Sequence, residues 1–377
     1  MHGIRVASLR VMMGLACFCT IFIMLAGSPA AAQSAAADEA AQTGFDALQR
    51  GDAEKASAIF KDALVVRPRD PALLYGAGVA AHLLGREHDA TRLLGAAIQA
   101  EPRLTPASAL LGEIAYHEGD LDLAIRTYES ALAYAPSDVG LRQRLAAWRG
   151  EADIHHGFEA YKDDRFSILF EGPVNNKLAT RATSVLGAAF WRIGRALGAY
   201  PSDAINVILY TEKQFRDVTG APEWSAGGFD GQIRVPVRGA AQNLGEFDRV
   251  LTHELTHAML KGLASHNVPA WLNEGLAMYF DGSDGAASER RLAAARVFVP
   301  LAALRVGFTG LSAGDATVAY EVSAFAVHAL TARIGTSNLG ILLQDLDAGQ
   351  SVEQAVERFG FTFAEFESGL ARRVGAR

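Results

Sequence analysis

The sequence predicts a mainly α-helical protein with a smaller α+β part: helical repeats in the N-terminal third, then a small sheet joined to a helical lobe. Three observations carry this. Residues 37–138 repeat without a gap at a period of 34. From about Phe158 the pattern changes to short apolar runs of strand length. After about Leu244 the apolar residues fall only at helical spacing. The expected segments are a leader over 1–32, three repeats over 37–138, a closing helix and linker over 139–157, and a second domain over 158–377.

Arg5 and Arg10 precede an uncharged run over residues 11–27, and small residues follow, ending in Ala30, Ala31 and Ala32. Basic start, apolar middle and small-residue end are the parts of a secretory signal peptide, with cleavage expected after Ala32. The apolar run is shorter than the ~20 residues a spanning helix needs. The chain is therefore expected to be periplasmic or secreted, with no stable membrane insertion once the leader is removed. Cys17 and Cys19 both lie in the leader, so the remaining chain can form no disulfide. The formal charge is −7 and no basic block stands out. Nucleic acid is thus not an expected partner, because phosphate binding needs a basic patch. With 50% hydrophobic residues the chain can build real cores.

In the repeats, Gly44, Gly78 and Gly112 fall in register, as do Ala56, Ala90 and Ala124. So do Phe60, Leu94 and Tyr128, then Ala63, Ala97 and Ala131, then Pro68, Pro102 and Pro136. The small residues let two helices approach closely, the large one fills the space between them, and the proline ends the second helix. This order at this period resembles the tetratricopeptide repeat, one helix–turn–helix per copy. Leu141, Leu145 and Trp148 sit at helical spacing in a closing helix that covers the last apolar face. A repeat stack offers a groove for a protein partner or a substrate, or else serves as a spacer or as a cover packed on the second domain, and the sequence leaves these open. His82, His88 and His117 read as surface side chains, and His155 with His156 as linker.

In the second domain, 166–170 and 205–210 read as strands and 177–197 as a helix between them. A glycine-rich stretch over 227–231 leads to a strand over 232–237, where Pro236 argues for an edge position.

The chemistry is carried by His253, Glu254 and His257, an H-E-x-x-H run within a predicted helix. Histidines at i and i+4 are about 40° apart around a helix, so both imidazoles face one way and can reach one ion. Glu254 lies beside them, placed to take a proton from a water and pass it to a leaving amine. Glu274 follows in a second predicted helix that Pro269 opens. This ordering, with Trp271, Glu274, Gly275 and Ala277 after the H-E-x-x-H run, resembles the gluzincins and more closely the peptidase MA-like domains. The resemblance implies a zincin-like fold over roughly 158–340. It also implies one Zn2+ ion held by His253, His257 and Glu274, Glu254 as the catalytic carboxylate, and a peptide or protein substrate. Two histidines and one carboxylate leave a fourth position for water, as catalytic zinc requires.

The same resemblance places the edge strand beside the cleft at Gly228, Phe229 and Ile233, where a peptide could add by main-chain hydrogen bonds. Tyr320 matches a family helix motif and is a candidate to stabilise the oxyanion, with core packing the alternative. His328 reads as a core histidine, and His266 receives no role. The function these residues imply is an exported zinc-dependent peptidase, with endopeptidase action favoured because no segment reads as an amine-holding acidic site. Two alternatives stay open: a repeat-based binding protein whose zincin-like domain is idle, and a zinc hydrolase acting on cell-wall peptides.

Overall fold

The structure is a computed structural model that describes residues 29–172, 176–221, 226–237, 239–264 and 267–376. The leader lies outside the described residues except for its last four, which begin the first helix; His266 lies outside them as well. Two compact units divide at Ala152 and Asp153. Among the described residues no helix is long and apolar enough to cross a membrane.

The first unit is helical throughout: α1 (Pro29–Gln49), α2 (Ala53–Val66), α3 (Pro71–Leu83), α4 (Glu87–Ala100), α5 (Thr105–His117), α6 (Leu121–Tyr134) and most of α7 (Val139–His155). The helix starts Ala53, Glu87 and Leu121 keep the 34-residue period, and so do Pro71, Thr105 and Val139. Each repeat turns at a glycine with positive φ, at Gly51, Gly85 and Gly119. Asp52 and Asp120 accept a hydrogen bond from the backbone three residues on, capping α2 and α6. The in-register glycines do what the pattern requires. A Cβ would lie 2.7 Å from the Phe60 ring at Gly44, 2.8 Å from Leu94 at Gly78 and 2.4 Å from the Tyr128 ring at Gly112. Each repeat thus seats its own large residue on its own glycine, and the unit is an array of helix–turn–helix repeats of the kind the tetratricopeptide resemblance implies.

Tyr128 cannot swing away from an added methyl. Its hydroxyl donates to Glu113 Oε1 at 2.8 Å, and its ring lies 4.4 Å from that of Trp148, the buried anchor of α7. Gly112→Ala is therefore expected to destabilise the chain by ~1–3 kcal/mol, as overpacking does. A fall in the urea midpoint of helical circular dichroism checks this, and an unchanged midpoint would refute the close packing.

The second unit opens with a five-stranded sheet in the order β1-β2-β3-β5-β4: β1 (Phe158–Lys162), β2 (Phe166–Glu171), β3 (Ile205–Tyr210), β4 (Gly228–Phe229) and β5 (Ile233–Pro236). Strands β2, β3 and β5 run parallel, and β1 and β4 run antiparallel to their neighbours. Two helices intervene, α8 (Asn176–Leu197) and α9 (Glu212–Thr219). Val207, Leu209, Ile233 and Val235 face the main core, where α8 and α10 (Leu244–Leu263) pack. The alternate residues Ile208 and Tyr210 face a smaller cluster with Phe215, Phe158 and Ile154. The lobe continues with α11 (Ala270–Asp281), α12 (Gly285–Ala295), α13 (Ala313–Ile334), α14 (Leu339–Asp347), α15 (Val352–Glu357) and α16 (Phe363–Arg373).

Three expectations need correction. β5 is not an edge strand where it begins: Ile233 pairs with Val207 on one side and Phe229 on the other. The proline argument holds only locally. Val237 N donates to Tyr210 O, so Pro236 N faces the other side, where the two residues of β4 have already ended. Next, β1 and α9 were not expected. β1 is exposed at four of its five residues, so it lacks apolar alternation, although a capping box of Thr211 and Gln214 does mark the start of α9. Finally, His155 is not linker. It ends α7, its Nε2 lies 2.7 Å from Tyr210 Oη, and its ring stacks on that of Tyr210.

Candidate metal centre

Asn243 caps α10 by accepting from Glu246 N. Along the helix Val250, Leu251, Leu255 and Ala258 are buried, which turns His253 and His257 into the lobe rather than to solvent. Both histidines are 8% exposed and their rings stand 4.9 Å apart, nearly perpendicular. Pro269 precedes α11, which returns past them. Glu274 Oε2 lies 3.5 Å from His253 Nε2 and 3.5 Å from His257 Nε2. One ligand atom from each of the three residues lies within 4.8 Å of the other two.

Each imidazole is aimed by its other nitrogen. His253 Nδ1 lies 3.0 Å from Asp281 Oδ2, and His257 Nδ1 lies 2.8 Å from Asn273 Oδ1. A proton on each Nδ1 leaves Nε2 with a free lone pair toward Glu274. Asp281 has no exposed side-chain surface and is itself held by Arg249 Nη1 at 3.1 Å and by the backbone and hydroxyl of Ser283. His328 Nε2 lies 3.0 Å from the carbonyl of Ser283 and so supports the same turn, which makes it a satisfied core histidine as expected. Asp281 and Asn273 were not identified from sequence. Their one signal is spacing: Asp281 lies two helical turns beyond Glu274 and Asn273 directly before it.

His253 Nε2, His257 Nε2, Glu274 Oε2 and Glu254 Oε2 are all buried without a hydrogen-bond partner among the described residues. Glu274 Oε2 lies 3.5 Å from both Nε2 atoms, a cluster that would be costly unless something satisfies it, and two imidazoles with a carboxylate are a metal-ligand set. The residues fit a metal ion.

The electrostatics agree. Burial opposes charge on His253, yet its hydrogen bond to Asp281 and the nearby carboxylates of Glu274 and Glu254 outweigh burial and push it up to about 10. His257 is raised against burial by Glu274. Burial opposes ionisation of Glu274 as well, but His257 and His253 hold it down to about 2. The site thus favours positive charge on its imidazoles, and a metal cation would compete with those protons. Glu254, 3% exposed, is raised chiefly by burial. Tyr320 is partly buried on α13 with its ring edge-on to Phe308 at 5.2 Å. Burial raises its hydroxyl, and the charges of Glu274 and Glu254 raise it further.

The proposed substrate strand is only partly in place. Phe229 is half-buried against the core, and a Cβ on Gly228 would meet nothing within 4 Å. Ile233 is fully buried and paired on both sides, so neither its side chain nor its backbone faces a substrate. The residue that approaches the site is Gly227, where a Cβ would lie 3.1 Å from Glu254 Oε1.

Replacing Asp281 by Asn is expected to lower metal affinity by ~10–100-fold, because the buried carboxylate orients His253. Competition with a chelator of known affinity measures it, and an unchanged affinity would show that His253 is held by packing alone.

A histidine pair on one helix with a carboxylate from the next forms a candidate metal-ligand set, and a second carboxylate follows His253 on the first helix. Residues 187–373 match the family model described as Peptidase MA superfamily, and this part of the chain is a peptidase MA-like domain. No curated protein matches the chain. Among solved structures, the first TPR of Spaghetti (RPAP3) bound to the HSP90 peptide SRMEEVD is similar over 32% of this chain and 98% of that one, at 18% identity and a TM-score of 0.30.

Proposed function

We propose that this protein is an exported zinc-dependent peptidase, with endopeptidase action favoured and the repeats serving to bind a substrate or partner. The observation that carries the reading is the gathering of the unpartnered buried Nε2 atoms of His253 and His257 on Glu274 Oε2, with the buried carboxyl of Glu254 one residue along the helix from His253, inside a peptidase MA-like domain. His253, His257 and Glu274 would hold the ion. Bound there, zinc supplies Lewis-acid polarisation and makes water a stronger nucleophile at neutral pH.

The chain's own residues do the rest. Asp281 and Asn273 keep both imidazoles aimed. Glu254, raised by burial, takes a proton from the attacking water at its carboxylate and delivers it to the leaving amine. Gly228 and Phe229 form an edge along which a peptide main chain can align. The hydroxyl of Tyr320 donates to the oxygen that gains charge as the peptide carbonyl becomes tetrahedral. Tyr320→Phe is accordingly expected to lower kcat by ~10²-fold with the metal retained. A fall in Tm with unchanged kcat would assign Tyr320 to core packing instead. The export part rests on the leader and predicts a mature N-terminus at Gln33, read by N-terminal sequencing.

The deciding experiment incubates the chain from Gln33 with a peptide library and with cell-wall peptide stems, before and after chelation and after zinc is restored, with products read by mass spectrometry. Cuts that vanish on chelation and return with zinc support the reading, and the library that is cut names the substrate class. Cuts that persist after complete removal of the metal would overturn it.

A further inference from the structure

Strand β4 is two residues long and pairs with β5 through two residue pairs. So short a ladder does not hold its own register. What else fixes it lies on the sheet face away from α10. Arg234, 1% exposed, stands opposite Gly228. Its Nε reaches both oxygens of Asp230, at 3.2 and 3.0 Å, across the turn joining β4 to β5. The Asp230 carboxylate also accepts from Gln232 N, and Gly231 takes the positive φ the turn needs. Arg234 Nη1 donates to Tyr210 Oη at 2.8 Å on the central strand β3, and Tyr210 Oη meets His155 Nε2 at the end of α7. The cluster around it is apolar, with Ile208, Phe215 and Phe158. A buried ion pair adds little stability over an apolar replacement, but the planar guanidinium fixes its partners' geometry. Directly before β4, Gly227 lies against Glu254.

We propose that Arg234 is a positioning residue of the candidate peptidase site: by clamping Asp230 and anchoring on Tyr210, it fixes β4 and Gly227 at a set distance from Glu254, and so aligns the edge on which a substrate main chain lies. This rests on the peptidase reading above. Loosening the clamp leaves the metal ligands untouched and blurs the substrate's placement.

The test compares the full chain with its Asp230→Asn and Arg234→Lys variants. It measures amide exchange by mass spectrometry, metal stoichiometry, and kinetics on one peptide that the wild type cleaves. In Asp230→Asn, exchange over 227–233 is expected to rise about tenfold while β2 and β3 stay protected. The metal remains at one ion per chain, and KM rises about tenfold with kcat nearly unchanged, the scale of one lost hydrogen bond to a charged group. Arg234→Lys, which keeps the charge but not the fork, should fall between the two. The proposal is overturned by unchanged exchange over 227–233, by an equal rise in β2 and β3, by a loss in kcat with KM unmoved, or by an Asp230→Asn chain that does not fold, which would assign the pair to stability. If the wild type cleaves no peptide, the peptidase reading fails, and the exchange pattern alone still decides whether Arg234 clamps β4.

Discussion

Replacing Glu254 by Gln is expected to lower kcat by ~10²–10⁴-fold, the span of a positioned general base, while metal stays bound at one ion per chain. The substitution keeps the shape of a side chain that is 3% exposed and packed beside Val250 and Gly227, so no cavity opens. It does not touch His253, His257 or Glu274. What disappears is the ability to accept a proton at an atom that has no hydrogen-bond partner among the described residues. Stability should hold or rise, because the amide replaces a carboxyl whose charged form burial disfavours. Kinetics on a cleaved peptide, metal analysis and thermal unfolding of the same preparation read all three. Full cleavage by Glu254→Gln would remove Glu254 from the proton transfer. Joint loss of metal and activity would make it a contributor to the ligand set instead.

The sequence carried the local parts of this molecule and little of what joins them. The 34-residue period was legible because each repeat packs its own glycine on its own large residue, as at Gly78 and Leu94. The histidine pair was legible for the same reason: one helix, four residues apart. The groups that orient it were not. Asp281 lies 28 residues from His253, and Asn273 lies 16 from His257, and nothing in an Asp or Asn at those distances distinguishes it from a surface residue. Asp230 and Arg234 are four apart and look like an exposed pair near a turn, yet the guanidinium is buried on the sheet. Pro236 suggested an edge, and the real edge is the two-residue β4, too short to leave any apolar alternation. The failures share a cause. Burial of a polar side chain is decided by its tertiary partner, which local pattern does not encode.

Gly275→Ala should release the metal without altering a single ligand. Glu274 reaches the histidines because α11 is pressed into α13, and Gly275 is a point of close approach. A Cβ there would lie 2.4 Å from the carbonyl oxygen of Ser323 and 2.4 Å from Val327 Cγ2. The first of these is backbone in the middle of a 22-residue helix and cannot yield. Trp271, Leu272 and Leu276 on the same helix are fully buried, so α11 has no slack to absorb the strain. It must shift as a body, and Asn273, Glu274 and Asp281 shift with it. Overpacking of this kind costs ~1–3 kcal/mol, and each kcal/mol lowers Tm by roughly 2–4 °C in a domain of this size. Metal affinity should fall at least tenfold, since a ligand and both orienting groups ride on the displaced helix. Gly187→Ala is the matched control: it sits inside α8, where a Cβ would meet only the Arg165 side chain at 3.7 Å. That change should be neutral or stabilising by up to ~1 kcal/mol, as glycine-to-alanine is in an open helical position. Metal binding at wild-type strength in Gly275→Ala, whatever its Tm, would mean that Glu274 finds its place through α10 alone and that the seating of α11 on α13 serves stability only.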